Sequence, residues 1–500
     1  MKVYVEKFNE VFLRVYSSPD VEAELSEHFK LEVPGAKYTP QYKAGLWNGF
    51  AYLYSPARKT LYVGLLHYLR DFCQRNQYEL EITGQINLQD QITREQIEAY
   101  VKELNLHSRG KPIETRDYQI DTIHHALNNF RAIAKSPTSS GKSLNLYALI
   151  RWHLDNNRRV LLITPRSSLV EQMYSDFEDY SSANGWDVSQ YCQKLYSVFT
   201  KFIEKPVLIS TWQSLHPLAK KGNWLQNQNF DVVMVDECHT AASASLIGIM
   251  EKLPYTQYRL GTTGTVANTK TALITLEGLF GPVYQAITTK ELMDRKQVSQ
   301  LKIKSLVLKY PPDFCKVMCK TEYQTEMDFL VSLNERNKFI CNLALATKGN
   351  TLILCHYVEK HSDILHEMIQ EKAGNRPVYY VHGKVSVEER EKIRGLLEQQ
   401  DNVILVSTFG TFSTGVNAPS IENIIFASPS KSAIRVLQSV GRGLRLKEGK
   451  SHCTLFDISD VLSWKNKHNH TIRHSAERFK LYSEQQFQVS INEINLFSLQ

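Results

Sequence analysis

Long apolar runs, clustered cysteines, internal repeats and low-complexity segments are all missing from this chain. No stretch reaches the roughly 18 uninterrupted apolar residues that a transmembrane helix needs, so we expect no membrane partner. The eight cysteines are scattered, which favours a reducing compartment, the cytoplasm, over a disulfide-linked secreted fold. The one close pair, Cys315 and Cys319, has no second pair nearby to complete a zinc site.

A large excess of charge of one sign is missing as well. The net charge of +7 over 500 residues permits a polyanionic partner without establishing one, because a mildly basic enzyme has the same balance. Hydrophobic residues make up 42% and charged residues 22% of the chain, which is typical of a folded protein. Motifs therefore have to decide the function.

The polarity pattern divides the chain into four parts. Residues 1–90 alternate apolar and polar positions and predict a small α+β domain, and residues 91–110 form a polar, helix-prone connector. In 111–295 and again in 296–500, short apolar strands alternate with helical patterns, which predicts two successive parallel α/β sheets and a helical extension at the end. The expected strands that carry motifs are 160–163, 207–209, 232–235, 352–354, 378–381, 403–406 and 424–426.

Two adjacent carboxylates, Asp236 and Glu237, directly follow the apolar run 232–235. Such a run predicts a buried parallel strand, and its carboxyl end faces the crevice where α/β sheets bind ligands. Carboxylates there are costly unless they hold a metal ion or position a proton acceptor. We expect Asp236 to hold Mg²⁺ and Glu237 to orient the attacking water of a triphosphate hydrolysis.

A phosphate loop is predicted at 136–143, ahead of an apolar helical stretch. Small residues let backbone N–H groups point at phosphate oxygens at the positive end of a helix. Lys142 would reach the β- and γ-phosphates and Ser143 would ligate Mg²⁺. Taken alone, the loop also fits a helix-capping turn, since Ser136 replaces the usual first glycine. The expected ATP-binding residues are Tyr118, Gln119, Thr138, Ser139, Ser140, Gly141, Lys142 and Ser143, with Gln119 reading the adenine edge and Tyr118 stacking on it.

A third element lies at 438–445, where Gln438, Arg442 and Arg445 share one helical face at positions i, i+4 and i+7. Two aligned guanidinium groups suit the charge that grows on a γ-phosphoryl group during cleavage, although a basic amphipathic surface helix is the alternative. These arginines follow the second sheet and Lys142 follows the first. ATP between the two sheets would therefore close a cleft, and hydrolysis would release it.

The set of motifs resembles superfamily 2 helicases and translocases over roughly residues 111–450. Beyond the phosphate loop and the Asp-Glu-Cys-His box, the segments that look like motifs Ia, Ic, III, V and VI are 164–172, 210–214, 261–265, 407–417 and 438–445. Residues 38–49, the 261–265 variant and the phosphate loop are similar to the UvsW-type helicases of tailed phages. Ser139 stands where many relatives carry glycine.

The resemblance implies two tandem RecA-like domains after a small α+β domain, in an ATP- and Mg²⁺-dependent DNA helicase of the host cytoplasm. It implies remodelling of single-stranded and branched DNA in recombination, repair and replication: Holliday-junction branch migration, fork regression and R-loop unwinding. The residues that it implies as contacts to the phosphate backbone are Arg166, Gln172, Thr211, Gln213, Thr408 and Thr411. Hydroxyls and amides suit that task because they bind phosphates without reading sequence.

Two other segments could contact DNA. In the first part of the chain, Lys37, Lys43 and Trp47 lie among further aromatic residues, which fits a nucleic-acid surface; the alternating aromatics of 50–54 could instead face a small core. Near the end, the basic run 465–480 predicts a solvated or DNA-facing helix.

Three alternatives stay open at this point. A restriction-type motor would move along duplex DNA without separating its strands, and an RNA helicase can carry the same Asp-Glu-Cys-His box. A binding or annealing protein would hold nucleic acid without productive hydrolysis. The complete set of Lys142, Asp236, Glu237, Arg442 and Arg445 argues against the last alternative.

Overall fold

The computed structural model describes residues 1–84, 92–196, 202–265, 269–415, 420–429, 441 and 452–498. The chain divides into two compact units, one comprising Met1–Ser136 with Gly141–Ile287 and the other Pro137–Ser140 with Thr288–Gln500. Within the described ranges, no helix is long and apolar enough to cross a membrane.

The chain begins with a mixed sheet of five strands in the order β5-β6-β2-β1-β7, beside a two-stranded sheet of β3 and β4. The strands are β1 (Lys2–Lys7), β2 (Phe12–Tyr16), β3 (Lys30–Glu32), β4 (Phe50–Tyr52), β5 (Tyr54–Ser55), β6 (Thr60–Tyr62) and β7 (Glu79–Thr83). The helices are α1 (Pro19–His28), α2 (Pro40–Lys43) and α3 (Leu66–Arg75). Alternating residues of β1, such as Val3 and Val5, are buried, and the predicted α+β region is confirmed. A connector follows, with α4 (Arg94–Glu103), β8 (His107–Ser108) and β9 (Lys111–Pro112).

The first large sheet has seven parallel strands in the order β12-β13-β11-β14-β15-β10-β16. Its strands are β10 (Arg131–Lys135), β11 (Val160–Thr164), β12 (Cys192–Leu195), β13 (Val207–Thr211), β14 (Val232–Asp236), β15 (Tyr258–Thr263) and β16 (Val283–Gln285). Its helices are α5 (Asp117–Asn129), α6 (Lys142–Asp155), α7 (Ser167–Tyr180), α8 (Val188–Tyr191), α9 (Trp212–Ala219), α10 (Ala244–Glu251) and α11 (Lys270–Phe280).

The second large sheet also has seven parallel strands, in the order β19-β20-β18-β21-β22-β17-β23. Its strands are β17 (Gln300–Lys309), β18 (Asn350–Cys355), β19 (Val378–Val381), β20 (Ile404–Thr408), β21 (Ile421–Phe426), β22 (His452–Val461) and β23 (Val489–Asn495). The helices described in this part are α12 (Thr289–Asp294), α13 (Pro312–Met318), α14 (Tyr323–Ser332), α15 (Asn334–Ala346), α16 (Asp363–Lys372), α17 (Val387–Gln399), α18 (Phe409–Gly415) and α19 (His470–Glu484).

The two large sheets repeat one topology. In each, the strands run across the sheet as third, fourth, second, fifth, sixth, first and seventh in chain order. This repetition confirms the two tandem RecA-like domains. The expected strands did not include β10, β12, β15, β16, β17, β22 and β23. In the case of β22, the buried Asp457 and Asp460 interrupt the apolar run that would mark a core strand.

The amino-terminal domain shares a continuous hydrophobic core with one face of the first RecA-like domain. The Tyr62 hydroxyl donates to Glu251 at 2.6 Å, and the Tyr68 hydroxyl donates to Glu277 at 2.7 Å. At Gly64 the chain approaches α11 so closely that an added Cβ would lie 1.9 Å from the carbonyl oxygen of Glu277. The first unit is therefore one packed body that contains both domains.

Candidate nucleotide and nucleic-acid sites

The predicted phosphate loop joins β10 to α6. Ser136 is tied to the neighbouring strand, since its N–H donates to the carbonyl of Thr263 at 3.0 Å. Gly141 has φ 87° and Ser139 has φ 71°, both in the left-handed region. Holding a serine there costs about 1–2 kcal/mol relative to an ordinary conformation, so Ser139 occupies a position that favours glycine. The Nζ atom of Lys142, the first residue of α6, donates to the Ser136 carbonyl at 3.2 Å.

The first turn of α5 lies against the end of this loop. Gln119 is buried; its Oε1 accepts from the N–H of Arg116 at 2.9 Å. Its Nε2 would lie 2.2 Å from a Cβ added to Gly141, so any other residue there would have to displace the Gln119 amide. Tyr118 is 4% exposed and its hydroxyl accepts from Arg116 at 2.8 Å. Gln119 thus lies beside the phosphate loop, and the adenine contacts of Tyr118 and Gln119 stay predictions.

Asp236 ends β14 and is buried. It accepts a hydrogen bond from the Thr262 hydroxyl of the adjacent strand β15 at 2.8 Å. Burial and the neighbouring Glu237 carboxylate raise the pKa of Asp236 to about 6, and the Lys142 ammonium opposes that rise. The carboxylate therefore lies close enough to Lys142 to interact with it. A buried acid whose charge is this unfavourable is suited to a bound cation.

The predicted water-orienting residue is held by a chain of polar contacts. Glu237 has φ 51°, and its Oε2 lies 3.2 Å from Nδ1 of His239. The same Nδ1 lies 2.9 Å from the Thr263 hydroxyl, which donates to the carbonyl of Thr265 at 2.6 Å. This series of contacts connects the Asp-Glu-Cys-His box to segment 261–265. Sequence reasoning gave His239 and Thr263 no part in it, because their contact depends on β14 and β15 being neighbours.

Ser143, the other predicted magnesium ligand, lies one residue inside α6. Its Oγ is 2.8 Å from the phenol oxygen of Tyr180 at the end of α7. Oxygen ligands such as a serine hydroxyl and a carboxylate are the types that Mg²⁺ prefers, so the residues at this end of the sheet fit the ion. Among the described residues, no group of three or more His, Cys, Asp or Glu side chains could hold a metal, at this site or at any other.

Predicted backbone contacts of the first RecA-like domain follow two neighbouring strands. Arg166 and Gln172 are exposed on and just before α7, after β11. Thr211 ends β13, and its hydroxyl accepts from the N–H of Ser214 at 3.3 Å, which caps α9. The Gln213 amide donates to the carbonyl of Pro165 at 3.1 Å, joining the two motifs.

The second RecA-like domain carries the same arrangement on the corresponding strand. Thr408 ends β20, the fourth strand of its sheet as β13 is of the first. Its hydroxyl oxygen lies 2.9 Å from that of Thr411, and the equivalent oxygens of Thr211 and Ser214 are 3.0 Å apart. In both domains these hydroxyls serve as helix caps, and their contact with DNA stays a prediction.

In the amino-terminal domain, Lys37 and Lys43 are exposed and Tyr38 is 72% exposed. Trp47 is half-buried and donates its indole N–H to the carbonyl of Phe50 at 2.8 Å. The aromatics of 50–54 are divided between the core and the surface, and their contact with DNA stays a prediction. One of them, Tyr54, is buried in the core, and Tyr52 is 46% exposed.

The basic run 465–480 requires a correction. Arg478 is 2% exposed, and its guanidinium contacts the fully buried Asp457 at 2.6 Å. It therefore does not belong to a solvated or DNA-facing surface, whereas Arg473 on the same helix is exposed. The sequence concealed this pair because the two partners lie 21 residues apart on different elements. Gln438, Arg442 and Arg445 lie outside the described residues.

Three family models match the chain, together over most of its length. Residues 1–83 match "DNA helicase UvsW, N-terminal", residues 112–268 match "Type III restriction enzyme, res subunit", and residues 335–447 match "Helicase conserved C-terminal domain".

Individual proteins match over similar lengths. The chain is 30% identical over 509 aligned residues to the ATP-dependent DNA helicase uvsW of Enterobacteria phage T4, covering 99% of this chain and 100% of that protein. The crystal structure of T4 UvsW aligns with a TM-score of 0.52 and 28% identity, over 99% of this chain and 100% of that one. A fragment of a putative HsdR subunit of a type I restriction enzyme from Vibrio vulnificus shares the fold, with a TM-score of 0.57 and 17% identity over 88% of this chain and 75% of that chain.

Proposed function

The chain belongs to the UvsW family of superfamily 2 helicases and is an ATP-dependent DNA helicase, and from that premise we propose that it remodels branched DNA. The proposed substrates are Holliday junctions, stalled forks and R-loops, and the proposed setting is recombination, repair and replication. The observation that carries the proposal is the amino-terminal domain, which matches its own UvsW family model and packs on the first RecA-like domain through a common core. A domain held in this way would present DNA to the motor in a fixed orientation.

The proposed domain boundaries are 1–90, 91–110, 111–295 and 296–500. We propose that Lys142 and the N–H groups at the start of α6 bind the ATP phosphates. Glu237 would orient the attacking water, and its Oε2 lies 3.2 Å from Nδ1 of His239. Gln438, Arg442 and Arg445 would stabilise the charge on the γ-phosphoryl group.

Magnesium is the proposed cofactor, with Asp236 and Ser143 as its protein contacts. When bound, the ion would neutralise the charge of the phosphates and the further negative charge that develops on them during cleavage. The pKa of Asp236, raised to about 6 by burial and by Glu237, supports this assignment, since a cation would favour the ionised form. Lys142 already acts in that direction.

The proposed DNA track uses exposed side chains and helix caps. Arg166 and Gln172 would bind phosphates in the first RecA-like domain, together with Thr211 and Gln213, and Thr408 and Thr411 would do so in the second. Lys37, Lys43 and Trp47 would contact DNA near a branch point. Such contacts would bind any sequence, which a translocating motor requires.

One experiment tests the proposal against its rivals. ATPase and unwinding are measured on a four-way DNA junction, a fork, linear duplex DNA and an RNA duplex. We expect unwinding of the junction and fork to be fastest, and Glu237→Gln to abolish turnover while leaving DNA binding intact, because only the water-orienting group is lost. Glu178→Gln, an exposed glutamate on α7, is the matched control.

A double variant addresses branch recognition. Lys37→Gln with Lys43→Gln should weaken binding to junctions more than to single strands, whereas the exposed pair Lys302→Gln with Lys304→Gln should not. Equal rates on all four substrates would contradict branch specificity. Preference for the RNA duplex would favour an RNA helicase, and ATPase on duplex DNA without strand separation would favour the restriction-type translocase.

A further inference from the structure

The end of helix α7 contacts the proposed magnesium ligand. Tyr180, the last residue of α7, has its phenol oxygen 2.8 Å from Oγ of Ser143. Its ring also packs edge-on against Tyr147, one helical turn after Ser143 on α6, with 5.6 Å between ring centroids. Both Tyr180 and Ser143 are half-buried. The phenol is therefore held by packing as well as by the hydrogen bond.

The geometry fits what a metal-ligating serine needs. Such a serine offers an oxygen lone pair to the ion, so its proton has to be donated to another acceptor. The Tyr180 oxygen is within hydrogen-bond distance to accept it. Partners of this kind orient a ligand without touching the metal, and their loss commonly weakens metal affinity about tenfold or more.

We propose that Tyr180 is a positioning residue that orients the Ser143 hydroxyl for Mg²⁺–ATP. The inference rests on the proposed role of Ser143. It also gives α7 a second task, because the same helix begins directly after Arg166. A helix of this length spans about 20 Å, so one rigid element connects a proposed phosphate contact of DNA with a proposed ligand of the metal.

The test is the binding of a fluorescent ATP analogue to the full-length protein, measured by anisotropy in Mg²⁺ and again in EDTA. In wild type, Mg²⁺ should tighten binding. Tyr180→Phe keeps the ring against Tyr147 but loses the hydrogen bond to the Ser143 hydroxyl. We therefore expect the gain in affinity from Mg²⁺ to fall about three- to tenfold in this variant. The affinity in EDTA should be unchanged. Tyr174→Phe is the control, since Tyr174 lies on the same helix with its ring 4.4 Å from Nζ of Lys194.

A double-mutant cycle with Ser143→Ala separates the proposed role of Ser143 as a metal ligand from the proposed role of Tyr180 in orienting it. If Tyr180 acts through Ser143, Tyr180→Phe should have no further effect in the Ser143→Ala background. An unchanged or larger Mg²⁺ gain in Tyr180→Phe would overturn the inference, as would an equal loss of affinity in EDTA. If Ser143→Ala itself leaves the Mg²⁺ gain intact, the proposed metal ligand is wrong and the inference fails with it.

Discussion

A carboxylate of the amino-terminal domain pairs with one buried arginine of the first RecA-like domain and lies near a second. Glu10 contacts Arg131 at 2.6 Å, and the side chains are only 17% and 9% exposed. Arg131 opens β10, the strand that leads into the phosphate loop, and lies opposite Arg259 of β15 in the sheet register. Arg259 is fully buried and donates to backbone carbonyls, including those of Thr256 and Met250 at 3.2 Å. Glu10 therefore lies close to two arginines that have little access to water, and its other carboxylate oxygen contacts Lys7 at 2.6 Å.

We expect Glu10→Gln to destabilise the first unit. Breaking a buried ion pair typically costs about 3–5 kcal/mol, because the remaining charge stays buried without compensation. Glutamine keeps an acceptor for Arg131 and position 10 is partly exposed, so the lower end of that range, about 3 kcal/mol, applies. For a unit of this size we expect the unfolding midpoint to fall by roughly 4–6 °C.

Differential scanning calorimetry of the full-length protein measures this shift. The matched control is Glu6→Gln, since the Glu6 side chain is 47% exposed and its nearest Arg14 nitrogen is 3.8 Å away. If Glu10→Gln unfolds at the same temperature as Glu6→Gln, Glu10 does not carry the charge balance of the buried arginines. A confirmed shift has a practical consequence: deletion of the amino-terminal domain would damage the motor itself, so its DNA-binding role has to be tested by surface substitutions.

Two further predictions concern buried charges. Arg478→Met should destabilise the second unit by about 3 kcal/mol, because it leaves the buried Asp457 carboxylate unpaired. The control Arg473→Met, at an exposed position, should change stability by less than about 0.5 kcal/mol. Equal melting curves for the two variants would contradict the buried pair. Asp236 has its pKa raised to about 6, so the folded state binds its proton more tightly than the unfolded state and stability falls as pH rises through about 4–6. Asp236→Asn should therefore raise the free energy of unfolding of the nucleotide-free protein by on the order of 1–2 kcal/mol at pH 7.5, with a higher melting temperature, and should give little gain at pH 5. A gain that does not depend on pH would refute the assigned cause.

The sequence predicts the elements that carry its chemistry better than those that frame them. Strands such as β11, β14 and β18 are continuous apolar runs because parallel strands are buried on both faces, and each was expected. The first half of β17, residues 300–304, alternates polar and apolar positions, which resembles a half-exposed strand and conceals its place inside a parallel sheet. The local polarity pattern indicates how buried a strand is. It does not indicate which strands lie beside it, because that depends on the whole sheet.

The same division applies to the candidate sites. Lys142, Asp236 and Glu237 were predictable because their types and spacing encode phosphate and metal chemistry. Their supporting contacts were not, since His239 meets Thr263 only where β14 and β15 are adjacent. Such contacts join residues far apart in sequence, and no spacing rule encodes them.

The adjacency of strands also limits how the nucleotide site can act on the DNA track within the first RecA-like domain. Strand β14, which ends in Asp236, lies between β15 on the side of the proposed nucleotide site and β11 on the side of the proposed DNA track. Paired strands in a packed sheet are held by their ladders, so displacement has to occur in the segments that follow them. Two such segments are physically tied to neighbours: Glu237–His239–Thr263 on one side, and α7 with Tyr180 on the other. The first connects the acidic box to segment 261–265. The second runs from the proposed metal ligand to the start of the proposed track, so α7 joins these two proposed sites.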